Sequence, residues 1–191
     1  LFGVADGAGS CEFARKGSAL ACNTLGEFIW EKEEEFTNLL QLTKRFMLEQ
    51  ENEQVSKEFN VAAYTTIGEM VLKAKQAIQN EASSKNFAVK DFSTTLLFTL
   101  ALEYDRSNYV LLSYGIGDGA IAHVKEDSIK SLNRPDGGAY AGQTRFLTMD
   151  EATRELNDRM TVYGPVESIA GLYLMTDGIT DHYFQTDHNL Q

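Results

Sequence analysis

Three aspartates in this chain sit where carboxylates are rare. Asp6 closes "LFGVAD", Asp118 closes "YVLLSYGIGD" and Asp177 closes "GLYLMTD", and a glycine follows each of them. Aspartate is depleted within strands, yet each of these three ends an apolar, strand-like run. Taken singly, an Asp-Gly step reads as a turn, which this dipeptide commonly makes. Taken together they are strand ends, and strand ends in one sheet region can converge. Converged carboxylates repel and are costly unless a cation holds them. "DGITD" adds Asp181 four residues after Asp177, one turn along if a helix starts there. Its ordinary role would be a helix N-terminal acid or cap. Asp136-Gly137, in the stretch "NRPDGGAYAGQTR", reads as a turn and nothing more.

A cation held by these residues meets hard oxygens, which favours Mg²⁺ or Mn²⁺ over Zn²⁺. The histidines do not form a soft-metal set. His123 lies in a strand candidate, His182 and His188 lie near the tail, and no His-Glu-x-x-His or Cys-x-x-Cys spacing occurs. Neither Asp6 nor Asp177 has the Asp-x-Asp-x-Asp-Gly spacing of an EF-hand loop, and no Gly-Lys-Ser/Thr supplies a P-loop. "GIGDGA" fits G-x-G-x-x-G/A through Gly115, Gly117 and Ala120. A dinucleotide site needs a helix after that turn. The stretch "AIAHVKEDSIKSL" stands there instead and alternates like a hairpin, and Asp118 would place a negative charge in the phosphate cradle.

The elements that must position these residues fall into two blocks. Residues 12–30, 36–51 and 60–82 carry apolar positions at helical spacing, the last over several turns. Between the first two, "EKEEEF" reads as a solvated helix start. The period then changes. "STTLLFTLALEY" and "NYVLLSYGIG" read as a hairpin joined through Asp105, Arg106 and Ser107, and "AIAHV" and "SIKSL" as a second around Glu126 and Asp127. "RFLTM", "RMTVY" and "GLYLMT" read as further strands, and "NRPDGGAYAGQTR" as a long loop. Helices preceding hairpin-linked strands indicate an α+β fold with helices on antiparallel sheets.

The chain has 191 residues, 43% of them hydrophobic, which suits one soluble domain with a sizeable core. No apolar run approaches the ~20 residues of a membrane helix, so no membrane association is expected. With 17 Lys and Arg against 28 Asp and Glu, the net charge is −11. That argues against nucleic acid as a partner, since phosphates are bound through Lys and Arg. Cys11 and Cys22 read as lying on one helix about 16 Å apart, too far to bridge. Buried thiols in a reducing cytoplasm are the expectation.

"VADGAGS", "DFSTTLLFTLALE", "YGIGDGAIAHV" and "LYLMTDGITD" occur in this order through nearly the whole chain. Together they resemble the motif series of the metal-dependent protein phosphatases of type 2C, above all the bacterial branch. "GGAYAGQTRFLT" is similar to a loop of some bacterial members. The resemblance implies an α-β-β-α sandwich of two mainly antiparallel sheets flanked by helices, with a metal cluster at one end of the sheets. It implies that Asp6 bridges two Mg²⁺ or Mn²⁺ ions, that the Gly7 carbonyl helps bind one, and that Asp177 is a further ligand. Asp118 and Asp181 would help hold a third ion, as in many members. The implied activity is hydrolysis of phosphoserine or phosphothreonine by a metal-activated water, with Asp6 and Asp177 catalytic through it. The implied substrate is a phosphorylated protein, either the target of a Ser/Thr kinase or the kinase itself. Ala8 stands where many eukaryotic members carry a histidine. The resemblance further places an acidic ligand and a phosphate-binding Arg before Leu1 and an Asp-Asn motif after Gln191. Residues 1–191 would then be one phosphatase domain without its N-terminal strand and its C-terminal metal motif. The competing expectation is a non-catalytic pseudophosphatase that binds and regulates a partner.

Overall fold

A computed structural model describes residues 1–125, 128–136 and 144–177. After a short strand β1 (Phe2–Val4) the chain forms α1 (Ala14–Glu31), α2 (Glu33–Leu48) and α3 (Glu53–Ser84). It then enters the hairpin β2 (Leu96–Asp105) and β3 (Asn108–Ile116), and continues into β4 (Ala120–Lys125) and β5 (Ser128–Ser131). Two single-turn helices, α4 (Glu151–Arg154) and α5 (Leu156–Arg159), lead into β6 (Met160–Glu167) and β7 (Gly171–Met175).

The strands make two antiparallel sheets, one in the order β1-β2-β3-β6 and the other β5-β4-β7. The α+β reading therefore holds. β2 reads as an unbroken apolar run because both of its faces are covered. Leu96, Phe98, Leu100 and Leu102 face the core under the helices, while Leu97 joins Leu111, Ile121, Leu132 and Val166 between the sheets. Thr99 and Ser113 lie opposite each other and share a 2.9 Å hydroxyl hydrogen bond, so neither buried hydroxyl is orphaned.

Helix α3 is the centre of the helical layer, packed against α1 and α2 and sharing the core with the first sheet. Val55, Phe59, Ala63, Ile67, Met70, Ala74, Ile78 and Ala82 recur on one buried face at helical spacing. It begins seven residues before the apolar pattern suggests, because Asn52 caps it. The Asn52 Oδ1 accepts from the N–H groups of Gln54 at 3.1 Å and Val55 at 3.4 Å. It ends with Asn86 at φ 58°, and Phe87 N–H donates back to the Ala82 carbonyl at 2.9 Å.

Several expectations need correction. "RFLTM" is a turn, not a strand. Its one ladder-like bond runs from Leu147 N–H to the Thr94 carbonyl, Leu147 is buried under the helices, and the chain then turns back through Met149 N–H to Phe146 O. Helix α1 starts at Ala14, so Cys11 precedes it; both cysteines are free and only half-buried. Gly117 leads into a strand rather than a helix, which removes the dinucleotide reading. β4 and β5 pair as expected, while Glu126 and Asp127 lie outside the described residues. Among the described residues, no helix is long and apolar enough to cross a membrane.

Candidate metal centre

Strand register decides where the aspartates go. β1 runs antiparallel to β2 with Val4 opposite Leu97, and β3 runs antiparallel to β2 with Ile116 opposite Leu96. The ends of β1 and β3 and the start of β2 therefore share one edge of the first sheet. In the second sheet Ala120, the first residue of β4, lies opposite Met175, the last of β7. Residues 117–119 carry the chain from β3 in one sheet to β4 in the other. Asp6, Asp118 and Asp177 thus all lie at the same end of the two sheets.

Asp6 is held by its backbone. Its carbonyl accepts from Thr95 N–H at 2.8 Å and from the Thr94 hydroxyl at 2.9 Å, and its own N–H donates to Thr95 Oγ1 at 3.0 Å. The next residues stay in register through a Gly7–Thr94 bridge and a 2.9 Å bond from Ala8 N–H to the Ser93 carbonyl. Gly7 is required for close approach: a Cβ there would lie 2.6 Å from the backbone carbon of Ala14, at the start of α1. With its backbone satisfied elsewhere, the Asp6 side chain is left to face its neighbours.

Those neighbours are acids. The half-buried Asp6 carboxyl is held above the ordinary carboxylate range, first by burial. The negative charge of Asp177, a hydrogen bond shared with the Asp177 side chain, and the charge of Asp118 push in the same direction. The Gly7 N–H, bonded to that carboxyl, works the other way. Asp118 is half-buried, and its Oδ2 accepts from the Thr144 hydroxyl at 2.7 Å. Asp177 is exposed. The structure so brings Asp6 against Asp177 and within electrostatic reach of Asp118. Asp181, His182 and His188 lie outside the described residues. Among the described residues, no group of three or more His, Cys, Asp or Glu side chains is arranged to hold a metal ion.

Two features escape a reading of the sequence. Thr94 and Thr95 sit inside "DFSTTLLFTLALE", but nothing in their spacing shows that they grip residue 6, some ninety positions away. Asp136 is more than a turn residue, which corrects the expectation for Asp136-Gly137. Its Oδ2 accepts from Gly117 N–H at 2.8 Å and from Arg159 Nη1 at 2.8 Å. Proximity of "NRPD" to a Gly-rich crossover gives no hint of an arginine partner 23 residues later.

Comparison with known proteins adds what geometry alone does not. The family model for protein phosphatase 2C matches residues 1–190. The chain belongs to the protein phosphatase 2C family. It is also similar to serine/threonine-protein phosphatase 3 of Escherichia coli (strain K12), 32% identical over 110 residues. That alignment covers 58% of this chain and 40% of the relative, so the chain spans well under two-thirds of the relative's length.

Proposed function

We propose that this chain carries the divalent-cation centre of a protein serine/threonine phosphatase that hydrolyses phosphoserine and phosphothreonine. The observation that carries the reading is the Asp6–Asp177 contact at the strand ends, with Asp118 in reach, in a chain of the protein phosphatase 2C family. The donor chemistry fits Mg²⁺ or Mn²⁺: the set is carboxylate and carbonyl oxygen alone, and Asp6, held above its ordinary range first by burial, also meets the negative charges of Asp177 and Asp118. Asp6, Asp177 and the Gly7 carbonyl would hold two ions, and Asp118 with Asp181 a third. When bound, such ions activate a water for in-line attack on phosphorus and neutralise the charge that develops.

The remaining work falls to the chain itself. Thr94 and Thr95 fix the Asp6 backbone, so that the carboxyl can be aimed without supplying its own turn. Thr144 orients Asp118. No side chain is required as nucleophile, so no phosphoenzyme is expected. The substrate is a phosphorylated protein, a kinase target or the kinase itself. A cytoplasmic location belongs to the same proposal and is supported by two half-buried cysteines that remain thiols.

The test is turnover of a phosphothreonine peptide by the full-length protein in Mn²⁺ and after chelation. Mn²⁺-dependent release of phosphate is expected. Undiminished turnover after complete metal removal overturns the mechanism. Phosphopeptide binding without turnover in Mn²⁺ would make the chain a regulatory pseudophosphatase instead.

A further inference from the structure

We infer that Asp136 and Arg159 form an ionic clamp that positions the Gly117–Asp118–Gly119 crossover, and through it Asp118, at the cation centre. The inference rests on the proposed function for what Asp118 holds, and on geometry alone for the clamp.

Residues 117–119 leave one sheet before joining the other, so no β ladder serves them. Gly117 has φ 116°, a conformation that side chains rarely adopt. Its N–H and carbonyl would be orphaned. Asp136 takes both: its carboxylate accepts the Gly117 N–H at 2.8 Å, and its own N–H donates to the Gly117 carbonyl at 2.7 Å. On the far side of Asp118, Asn133 repeats the pattern. Its Nδ2 donates to the Gly119 carbonyl at 3.0 Å and its Oδ1 accepts Ile121 N–H at 2.6 Å.

Arg159 fixes Asp136 in turn. Its side chain is 5% exposed and that of Asp136 is 13% exposed, with 2.8 Å between Nη1 and Oδ2. Arg159 also donates to Glu155 at 2.9 Å and to the carbonyls of Glu151 and Gly115 at 3.3 and 3.4 Å. Arg145 closes the group, 2.6 Å from Glu155 and 3.9 Å from Asp136. Two cations and two anions cancel. The clamp therefore adds no charge beside the acids, and the Arg159 guanidinium is engaged rather than free to pair with Asp118 in place of a metal ion. A buried pair of this kind is worth little as net stability but costly to halve, which suits a device whose purpose is placement.

The experiment compares full-length Asp136→Ala, Asp136→Asn and Arg159→Met with Leu39→Ala, a core truncation in α2 away from the turn. Two readouts are taken: hydrogen exchange of the Gly117 amide in metal-free protein, and calorimetric titration with Mn²⁺. Asp136→Ala and Arg159→Met are expected to speed Gly117 exchange and to weaken the weakest class of Mn²⁺ site by about tenfold or more, the range typical for partners that orient a ligand. Tighter Mn²⁺ binding should stay within about twofold, since Asp6 is held by other residues. Asp136→Asn keeps an acceptor for Gly117 and should fall between Asp136→Ala and the parent. Leu39→Ala should lower the melting temperature without either effect. Parental Gly117 exchange and Mn²⁺ isotherm in Asp136→Ala, or the same changes in Leu39→Ala, overturn the clamp. A parent protein that takes up no Mn²⁺ overturns the metal reading and the coupling to Asp118, while the exchange rates still decide whether the clamp exists.

Discussion

The two ends of the β2–β3 hairpin use the same residue type in opposite ways. At the Asp105–Asn108 end, Asp105 Oδ1 accepts from Arg106 N–H at 2.7 Å and Glu103 Oε1 accepts from Ser107 N–H at 3.1 Å. Those carboxylates are consumed by their own exposed loop. At the other end, Asp6 has its backbone gripped by Thr94 and Thr95, and its carboxyl is pressed against Asp177. Each aspartate accepts the N–H of the residue after it, but in "YDRSN" the acids hold the turn, whereas in "VADG" Thr94 and Thr95 hold the backbone and the carboxyl also meets a second acid. The presence of Asp beside a turn therefore decides little. What decides is whether the carboxylate also meets a group from outside its own loop, as Asp6 meets Asp177.

Paired substitutions can break that contrast. The largest effect is expected from Asp6→Asn, which should lower Mn²⁺-dependent turnover on the order of a thousandfold or more, since metal stabilisation of the transition state is worth several kcal/mol. In chelator it should melt no lower than the parent, because one of two facing negative charges is gone. It should also lose most of the rise in melting temperature that Mn²⁺ gives the parent. Asp105→Asn should leave turnover and the Mn²⁺ response intact and cost at most about 1 kcal/mol. Melts and rates of the two proteins side by side check this. A destabilised Asp6→Asn with a parental response to Mn²⁺ would make both ends turns.

Backbone strain offers a second pair with smaller effects. An alanine at Gly117 would adopt φ 116° with its Cβ 2.5 Å from Thr95 Cγ2. We expect Gly117→Ala to cost about 1–3 kcal/mol from the backbone alone, and to lower turnover by displacing the residue that holds Asp6. Ser107 at the opposite end already has φ 60°. Ser107→Gly relieves that conformation and should raise stability by up to about 1 kcal/mol without touching turnover. Thermal melts resolve both, and equal, same-signed shifts would erase the distinction.

The smallest effect concerns the layer between the sheets. His123 is 1% exposed, lies 5.7 Å from the Tyr163 ring, and neither ring nitrogen has a hydrogen-bond partner among the described residues. Burial, and then the Lys125 charge, hold its pKa below the ordinary value. The unfolded chain therefore binds the His123 proton more readily than the folded one. Its contribution to stability is present above about pH 6.5 and is lost as pH falls from there through the lowered folded value. Replacing it by His123→Leu should flatten that part of the pH–stability curve, measured by urea unfolding in metal-free protein. A slope unchanged by the substitution would place the acid sensitivity elsewhere.

The elements are legible from sequence where period and burial agree. α3 declares itself through Ile67, Val71, Ala74 and Ile78, the β2–β3 hairpin through apolar β-rich runs and a short connection, and β4–β5 through alternation. "RFLTM" misleads because Leu147 plugs the core under the helices from a turn, and one buried leucine among half-buried neighbours imitates a strand. The aspartates are legible as strand ends, but their convergence depends on register. A sequence does not state that Val4 lies opposite Leu97 or Ala120 opposite Met175. The clamp is hidden altogether, since Asp136 and Arg159 belong to a loop and a single-turn helix without periodicity.

The crossover at residues 117–119 also bears on how the acids come together. Asp6 and Asp177 are 171 positions apart along the chain (177 − 6) and arrive from different sheets. The closure entropy of such a loop grows with the logarithm of its length, and the cost must be met before the two carboxylates meet. β2 and β3, by contrast, meet across a two-residue connection. The carboxylate pair is thus a contact of high order, absent from any partly folded chain whose sheets have not yet been laid against each other. A cation that needs both acids would discriminate between a finished molecule and an unfinished one, and would pull late-stage folding towards completion.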